Sequence, residues 1–273
     1  VELALSYEIV RNKDFNLSFG MTYNFNHNNI DDLFDGVLAD THTNWGSTTR
    51  LPYYDYVIRK GNPVGLIQGY KSQGIYTVDD FNVSADGVWT LKPGIPDNVD
   101  NIGNFAGAEN YKRPEDQKAF PGMAKFADTD GDGKITSSDV TIIGKTKPQH
   151  TGGFNFSGHY KNLDFTANFT YQIGGKVYNA NALHDMMGGK DTWYGAAKLN
   201  IVSDCWKMYN VDSKGDLYAV TDPTELKALN AGAKYALPFA EVGLVTSDFI
   251  EDASYLRLQN LSVGYTFPKR WMK

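Results

Sequence analysis

The sequence predicts an all-β fold, a stretch of the large antiparallel sheet that closes into a transmembrane barrel. Three observations carry this. Apolar and polar side chains alternate with a period of two in several segments of about ten residues. Short polar turns join those segments on one side. Long stretches rich in Asp, Asn, Gly and Pro separate them on the other, the asymmetry of an outer-membrane barrel.

The elements follow in order. Val1 to Val10 reads as a strand, and the short polar turn Arg11–Asp14 leads into a second. There Phe15, Leu17, Phe19, Met21, Tyr23 and Phe25 form one face, and Asn16, Ser18, Gly20, Thr22, Asn24 and Asn26 the other. The opposite face carries small and amide groups rather than the Lys and Glu of a water-washed sheet. The pattern returns from Gly152 to Tyr160, and Lys161-Asn162 is short enough for a tight hairpin. Leu163, Phe165, Ala167, Phe169 and Tyr171 then alternate with Asp164, Thr166, Asn168, Thr170 and Gln172. Near the end Leu261, Val263, Tyr265 and Phe267 alternate, whereas Leu256 and Leu258 fall on the other parity, so a β-bulge is expected between them. The Phe, Leu and Tyr faces are expected to meet lipid, and Asn16, Thr22, Thr166 and Asn168 the lumen. Residues 28–56, 77–122 and 176–250 read as long loops with at most short helices, such as Thr224–Ala231 after Pro223.

Composition narrows the function classes. Of 273 residues, 41% are hydrophobic, 14% aromatic and 21% charged, too apolar and aromatic for a disordered chain. A net charge of −6 disfavours a nucleic-acid partner. The single Cys205 excludes a disulfide framework and a multi-cysteine zinc site. No run of about 18 apolar residues exists to make a spanning helix, which leaves a β-barrel open. No nucleophile elbow, phosphate loop or dinucleotide fingerprint is present, and the histidines have no ligand spacing, so no enzyme activity is expected.

The sharpest local motif lies at 128–139, Asp128-Thr-Asp130-Gly-Asp132-Gly133-Lys134-Ile135-Thr136-Ser-Ser-Asp139. Carboxylates at loop positions 1, 3, 5 and 12, a Gly at position 6 and the Lys134 carbonyl at position 7 match a chain wrapped round one Ca²⁺. Position 12 is usually Glu, and the shorter Asp139 predicts a weaker site. Pro121-Gly122 before the loop and only one helical turn after it argue against a helix–loop–helix sensor. The expected role of Ca²⁺ is to staple a loop outside the membrane. Trp193, Tyr194, Trp206 and Tyr209, beside Asp191, Asp204 and Asn210, are candidates for stacking on sugar rings or peptide backbones.

The motifs also come in a specific order. After the Asp128 loop come Ile143-Gly144, Pro148, Gly152-Gly153-Phe154, Tyr160-Lys-Asn-Leu-Asp-Phe165 and Tyr171-Gln-Ile-Gly-Gly-Lys-Val-Tyr-Asn179. Pro63-Val-Gly-Leu-Ile-Gln-Gly-Tyr70 and Gly74-Ile-Tyr76 precede it, and Ala253 to Pro268 follows. This ordered set resembles the SusC/RagA-type TonB-dependent outer-membrane transporters over residues 1–273. The resemblance implies a barrel of about 22 strands around an N-terminal plug, capped by a SusD-like surface lipoprotein and importing glycans or peptides with energy from TonB. On that pattern the chain is a partial barrel domain in the outer-membrane lipid, without the plug, the TonB box and the last strands. The alternative is a secreted, soluble, calcium-stapled β-domain for glycan binding or adhesion.

Overall fold

The computed structural model describes residues 1–33, 39–41, 56–100, 108–179, 181–182, 203–236 and 245–271. Strand β1 (Glu2–Arg11) turns through Asn12–Asp14 into β2 (Phe15–Phe25). The Asn12 side chain holds this turn by accepting from the Asp14 and Phe15 amides at 3.1 and 2.8 Å. The chain then leaves the sheet and makes eight short strands. These are β3 (Ala39–Thr41), β4 (Tyr56–Ile58), β5 (Leu66–Gly69), β6 (Ser72–Ile75), β7 (Phe81–Val83), β8 (Trp89–Leu91), β9 (Ala124–Phe126) and β10 (Thr141–Lys145). It returns as the hairpin β11 (His150–Tyr160) and β12 (Leu163–Ile173). A second excursion carries β13 (Lys176–Tyr178), β14 (Tyr209–Val211), β15 (Leu217–Ala219), helix α1 (Pro223–Leu229) and β16 (Ile250–Asp252), and β17 (Tyr255–Tyr265) completes the sheet.

The long strands make one antiparallel sheet in the order β1-β2-β11-β12-β17, which is open at both edges. Register puts the apolar residues on one face. Leu5 lies opposite Met21, Met21 opposite Phe154, Phe154 opposite Phe169, and Phe169 opposite Leu258. The other face carries an unbroken row of hydroxyls, Ser18–Ser157–Thr166–Ser262, and an amide row, Asn155–Asn168–Asn260. The expected slip in β17 is real: Asn168 faces Asn260 and Phe169 faces Leu258, so Gln259 is the extra residue. A second bulge at Ile9 does the same in β1. The predicted division of apolar from polar faces therefore holds across all five strands. Both short turns, Asn12–Asp14 and Lys161–Asn162, lie at one end, linked by the Lys161 amide donating to the Asp14 carbonyl at 2.7 Å. Both long excursions leave from the other end.

The excursions are more ordered than the sequence predicts. They fold together into a cap that holds most of the buried residues. Tyr70, Tyr76, Phe81, Trp89, Tyr111, Phe120, Met123, Phe126 and Ile135 from the first pack against Trp206, Met208, Val220 and Leu226 from the second. The expected helix near 224–231 is α1, capped by the Asp222 side chain, which accepts from the Glu225 amide, with Pro223 in the first turn. Its Lys227 reaches back to Asp79 at 2.7 Å, one more link between the excursions. No helix among the described residues is long and apolar enough to cross a membrane.

Gly122 marks a close fit between the two excursions. Its φ is +95°, and a Cβ there would stand 2.3 Å from Trp206 Cδ1. Gly122→Ala is therefore expected to cost the cap about 1–3 kcal/mol through backbone strain and overpacking. In the full-length protein, amide hydrogen exchange should quicken at residues 70–100, 108–126 and 206–236 and stay slow in the long strands. Unchanged protection in the cap would show that Trp206 is not seated under Gly122.

Candidate functional site

The Asp128 loop links β9 to β10 at the edge of the cap core. Its foot is Ile135, fully buried in that core, which fixes the height of the loop. A second strap holds it from the side. The Asp97 amide donates to the Gly133 carbonyl at 3.1 Å, and the Ile135 amide donates to the Asp97 carbonyl at 2.7 Å. Because successive carbonyls of an extended chain point to opposite sides, this ladder leaves the Lys134 N–H and C=O facing the loop. The Lys134 N–H does so, donating to Asp132 Oδ1 at 2.8 Å. Asp97 is itself anchored, its carboxylate accepting from the Lys118 and Ala119 amides at 3.0 and 2.7 Å.

The carboxylates sort into two groups. Oxygens of Asp128, Asp130 and Asp139 lie within 4.8 Å of one another, and Asp132 stands outside that cluster. Asp128 accepts from Gly131 and Gly133 N–H at 2.6 and 2.8 Å, which folds the chain around its first ligand position. Gly133 sits at φ +83°, the left-handed conformation that the sixth position needs. Asp139 is fully buried. It accepts from the Thr129 amide at 2.6 Å and the Thr136 amide at 2.8 Å, closing the 3₁₀ turn Ser137–Asp139.

The electrostatics of this cluster favour a cation. No Lys or Arg forms an ion pair with any of the three carboxylates among the described residues. The Gly133 and Gly131 N–H groups hold the Asp128 carboxyl below the usual range. At Asp130 the Asp132 N–H lowers the value, but burial and the neighbouring Asp132, Asp139 and Asp128 carboxyls outweigh it, so the group is pushed up. Oxygen-only donors, three converging carboxylates and a peptide carbonyl on the loop side fit a hard cation of the Ca²⁺ type. Asp128, Asp130, Asp139 and the Lys134 carbonyl would hold it directly. Asp132 would join by turning from the Lys134 amide.

The aromatic candidates fare differently. Trp193 and Tyr194 lie outside the described residues. Trp206 is 4% exposed in the cap core, so its faces pack on protein and it is no surface for substrate. A Trp between a Cys and a Lys looks alike in sequence whether it lines a pocket or plugs a core; here it packs under Gly122, far away in sequence. Burial pushes the Tyr111 phenol up while the nearby Trp206 indole opposes that rise. Tyr209 is exposed, and its hydroxyl accepts from Asn110 Nδ2 at 2.9 Å. Sequence reasoning missed Asp97, an isolated acid that gave no signal that its backbone would brace the loop.

Comparison with known proteins bears out the resemblance read from the sequence. The chain is 28% identical to TonB-dependent receptor P3 of Formosa agariphila over 271 residues, covering 99% of this chain and 22% of the relative. It is 23% identical to the TonB-dependent receptor SusC of Bacteroides thetaiotaomicron, covering 99% of this chain and 20% of SusC. The chain thus spans about a fifth of the length of these relatives. The RagAB peptide importer in a closed-closed state superposes with a TM-score of 0.59 at 18% identity, covering all of this chain and 23% of that one. The fold is therefore that of the RagA-type barrel, here not closed. No protein-family model matches. These relatives are named receptors and transporters rather than enzymes, in line with the sequence expectation.

The buried and exposed carboxylates should respond differently to truncation. In chelator, Asp139→Ala removes the charged acceptor of the Thr129 and Thr136 amides and is expected to cost about 1–3 kcal/mol. Asp132→Ala, at an exposed position, should stay within about 0.5 kcal/mol. Limited proteolysis of the 128–139 segment in the full-length protein measures both. Equal cleavage of the two variants would mean that Asp139 does not close the loop.

Proposed function

We propose that this chain, similar along its whole length to SusC-type TonB-dependent receptors, is part of the wall and outer cap of an outer-membrane importer. The importer takes up glycans or peptides with a SusD-like lipoprotein and TonB energy. One observation carries the reading: the apolar face running unbroken across five strands has no covering layer among the described residues. Leu3 is 60% exposed, Leu261 62% and Val263 64%. A soluble domain of this size buries such a face. This weighs against the secreted, calcium-stapled domain, which no observation favours over the wall.

Dimensions support a membrane setting. Strands of 11 residues at about 3.3 Å per residue, tilted by about 40°, span about 28 Å, close to the apolar band of an outer-membrane barrel. Aromatic rings flank that band. Phe15, Tyr160, Tyr265 and Phe267 stand at the turn end, and Tyr23, Phe25 and His150 at the cap end, where the Tyr23 hydroxyl and His150 Nδ1 are 2.7 Å apart. The polar face lines the lumen, the short turns face the periplasm, and the cap faces outward. A nutrient descending past the cap then meets mainly amides and hydroxyls, with Arg257 near the cap and Glu8 and Asp164 near the turns. The relatives include a named peptide importer, which supports peptides among the cargoes.

In this setting Ca²⁺ at Asp128, Asp130 and Asp139 staples the cap. The ion would offset most of the charge of three carboxylates and hold the strapped loop to β10, which pairs with β5. It supplies rigidity; the chemistry of transport belongs to the assembled barrel.

Two outcomes are expected. Phe169 stacks on Phe154 at 4.7 Å near mid-strand. Phe169→Arg in the full-length transporter should cost about 2–4 kcal/mol in bilayer unfolding, whereas Thr170→Arg on the polar face should cost far less. Equal costs would reverse the assignment of faces. Calorimetry on the intact, chelator-stripped transporter should show one Ca²⁺ taken up per chain at this loop, with Mg²⁺ competing poorly. That heat should vanish in Asp128→Ala/Asp130→Ala; an undiminished signal would move the ion elsewhere.

A further inference from the structure

We propose that the turn end of the wall binds the phosphate of an anionic glycerophospholipid through Lys161 and Arg270, set against the rings of Tyr160, Tyr265, Phe267 and Trp271. This rests on the reading of the sheet as barrel wall. Register puts Tyr160 opposite Leu163 and Leu163 opposite Tyr265, all on the apolar face. The chain continues from Tyr265 into two further exposed rings, with Phe267 edge-on to Tyr265 at 5.2 Å and Trp271 at 6.3 Å from Phe267. These rings form a patch at the lipid rim where amphipathic side chains settle.

The charges are sorted by side. Glu8 and Asp164 at this end lie on the polar face, aligned with Ser18 and Gly264. Glu8 is also occupied, accepting from Asn16 at 2.8 Å and pairing with Arg11 at 3.4 Å. The Lys161 ammonium instead lies over the Tyr160 ring at 5.4 Å, on the apolar side. Among the described residues neither Lys161 nor Arg270 has a carboxylate partner. Asp14 is the acid left in the turns.

Backbone geometry holds Lys161 in place. It is the non-glycine residue with positive φ, 53°, among the described residues, although Asn162 beside it would adopt that conformation at lower cost. The Lys161 amide is tied to the Asp14 carbonyl at 2.7 Å, and the Thr266 amide to the Asn162 carbonyl at 2.8 Å, so the turn is clamped between β2 and β17. A cation fixed over an outward ring at the rim of an apolar band has one abundant anion at its depth, the lipid phosphodiester. Lys meets it as a point charge and Arg as a two-pronged donor.

The test uses the full-length transporter in nanodiscs of phosphatidylcholine alone or with phosphatidylglycerol. Phosphatidylglycerol should raise the melting temperature of the wild type in about 0.15 M salt, and about 1 M salt should remove most of that rise. Lys161→Gln/Arg270→Gln should melt as the wild type does in phosphatidylcholine and lose the rise, and Lys161→Arg/Arg270→Lys should recover it. Inorganic phosphate added to phosphatidylcholine discs should not reproduce it. A rise kept by the double Gln variant, no rise in the wild type, or an equal rise with phosphate alone would overturn the proposal and leave the wall reading intact. Failure to enter either disc would overturn both.

Discussion

Everything outside the five-stranded sheet depends on the pairing of β2 with β11. Phe25 and His150 sit opposite each other although the whole first excursion separates them. A ladder in which each backbone amide needs a partner thus forces the chain to leave and re-enter at adjacent points. The excursion must fold back on itself, and it does so with its own aromatic core. The β12–β17 pairing imposes the same condition on the second excursion. Neither closes a core alone: Trp206 and Leu226 come from one, Trp89 and Phe120 from the other.

That division of labour explains why the metal-type loop sits where it does. β10 is the last strand of the cap before the wall, and it pairs with β5 at the start of the ordered part of the excursion. A constraint between β9 and β10 therefore acts on the route by which the cap is joined to the barrel. Ile135 in the core and Asp97 at the side hold the loop backbone in shape, and the acids are left close together and unpaired.

The wall was legible in the sequence because a two-residue period leaves one phase choice per strand, and even the bulge at Gln259 showed as a parity change between Leu258 and Leu261. The cap was not, for the opposite reason. Its strands are three to five residues long, too short for a period to register, and their partners lie far away in sequence. The Asp128 loop was legible as a motif, since liganding positions are fixed by local spacing. That Asp132 turns to the Lys134 amide while Asp139 is buried depends on packing that no spacing reports. Trp206 shows the limit: its neighbours Cys205 and Lys207 are compatible with a binding face, and only the missing side chain at Gly122 sends it inward.

The shared core also sets an order of events during biogenesis. Residues from both excursions make up this core, so it is complete only once Leu226 has been delivered. Contacts so distant along the chain close slowly, and a half-made cap offers an adhesive surface throughout that delay. Such a cap gains little from a fast local folding nucleus. Its maturation is paced by the arrival of its own downstream sequence.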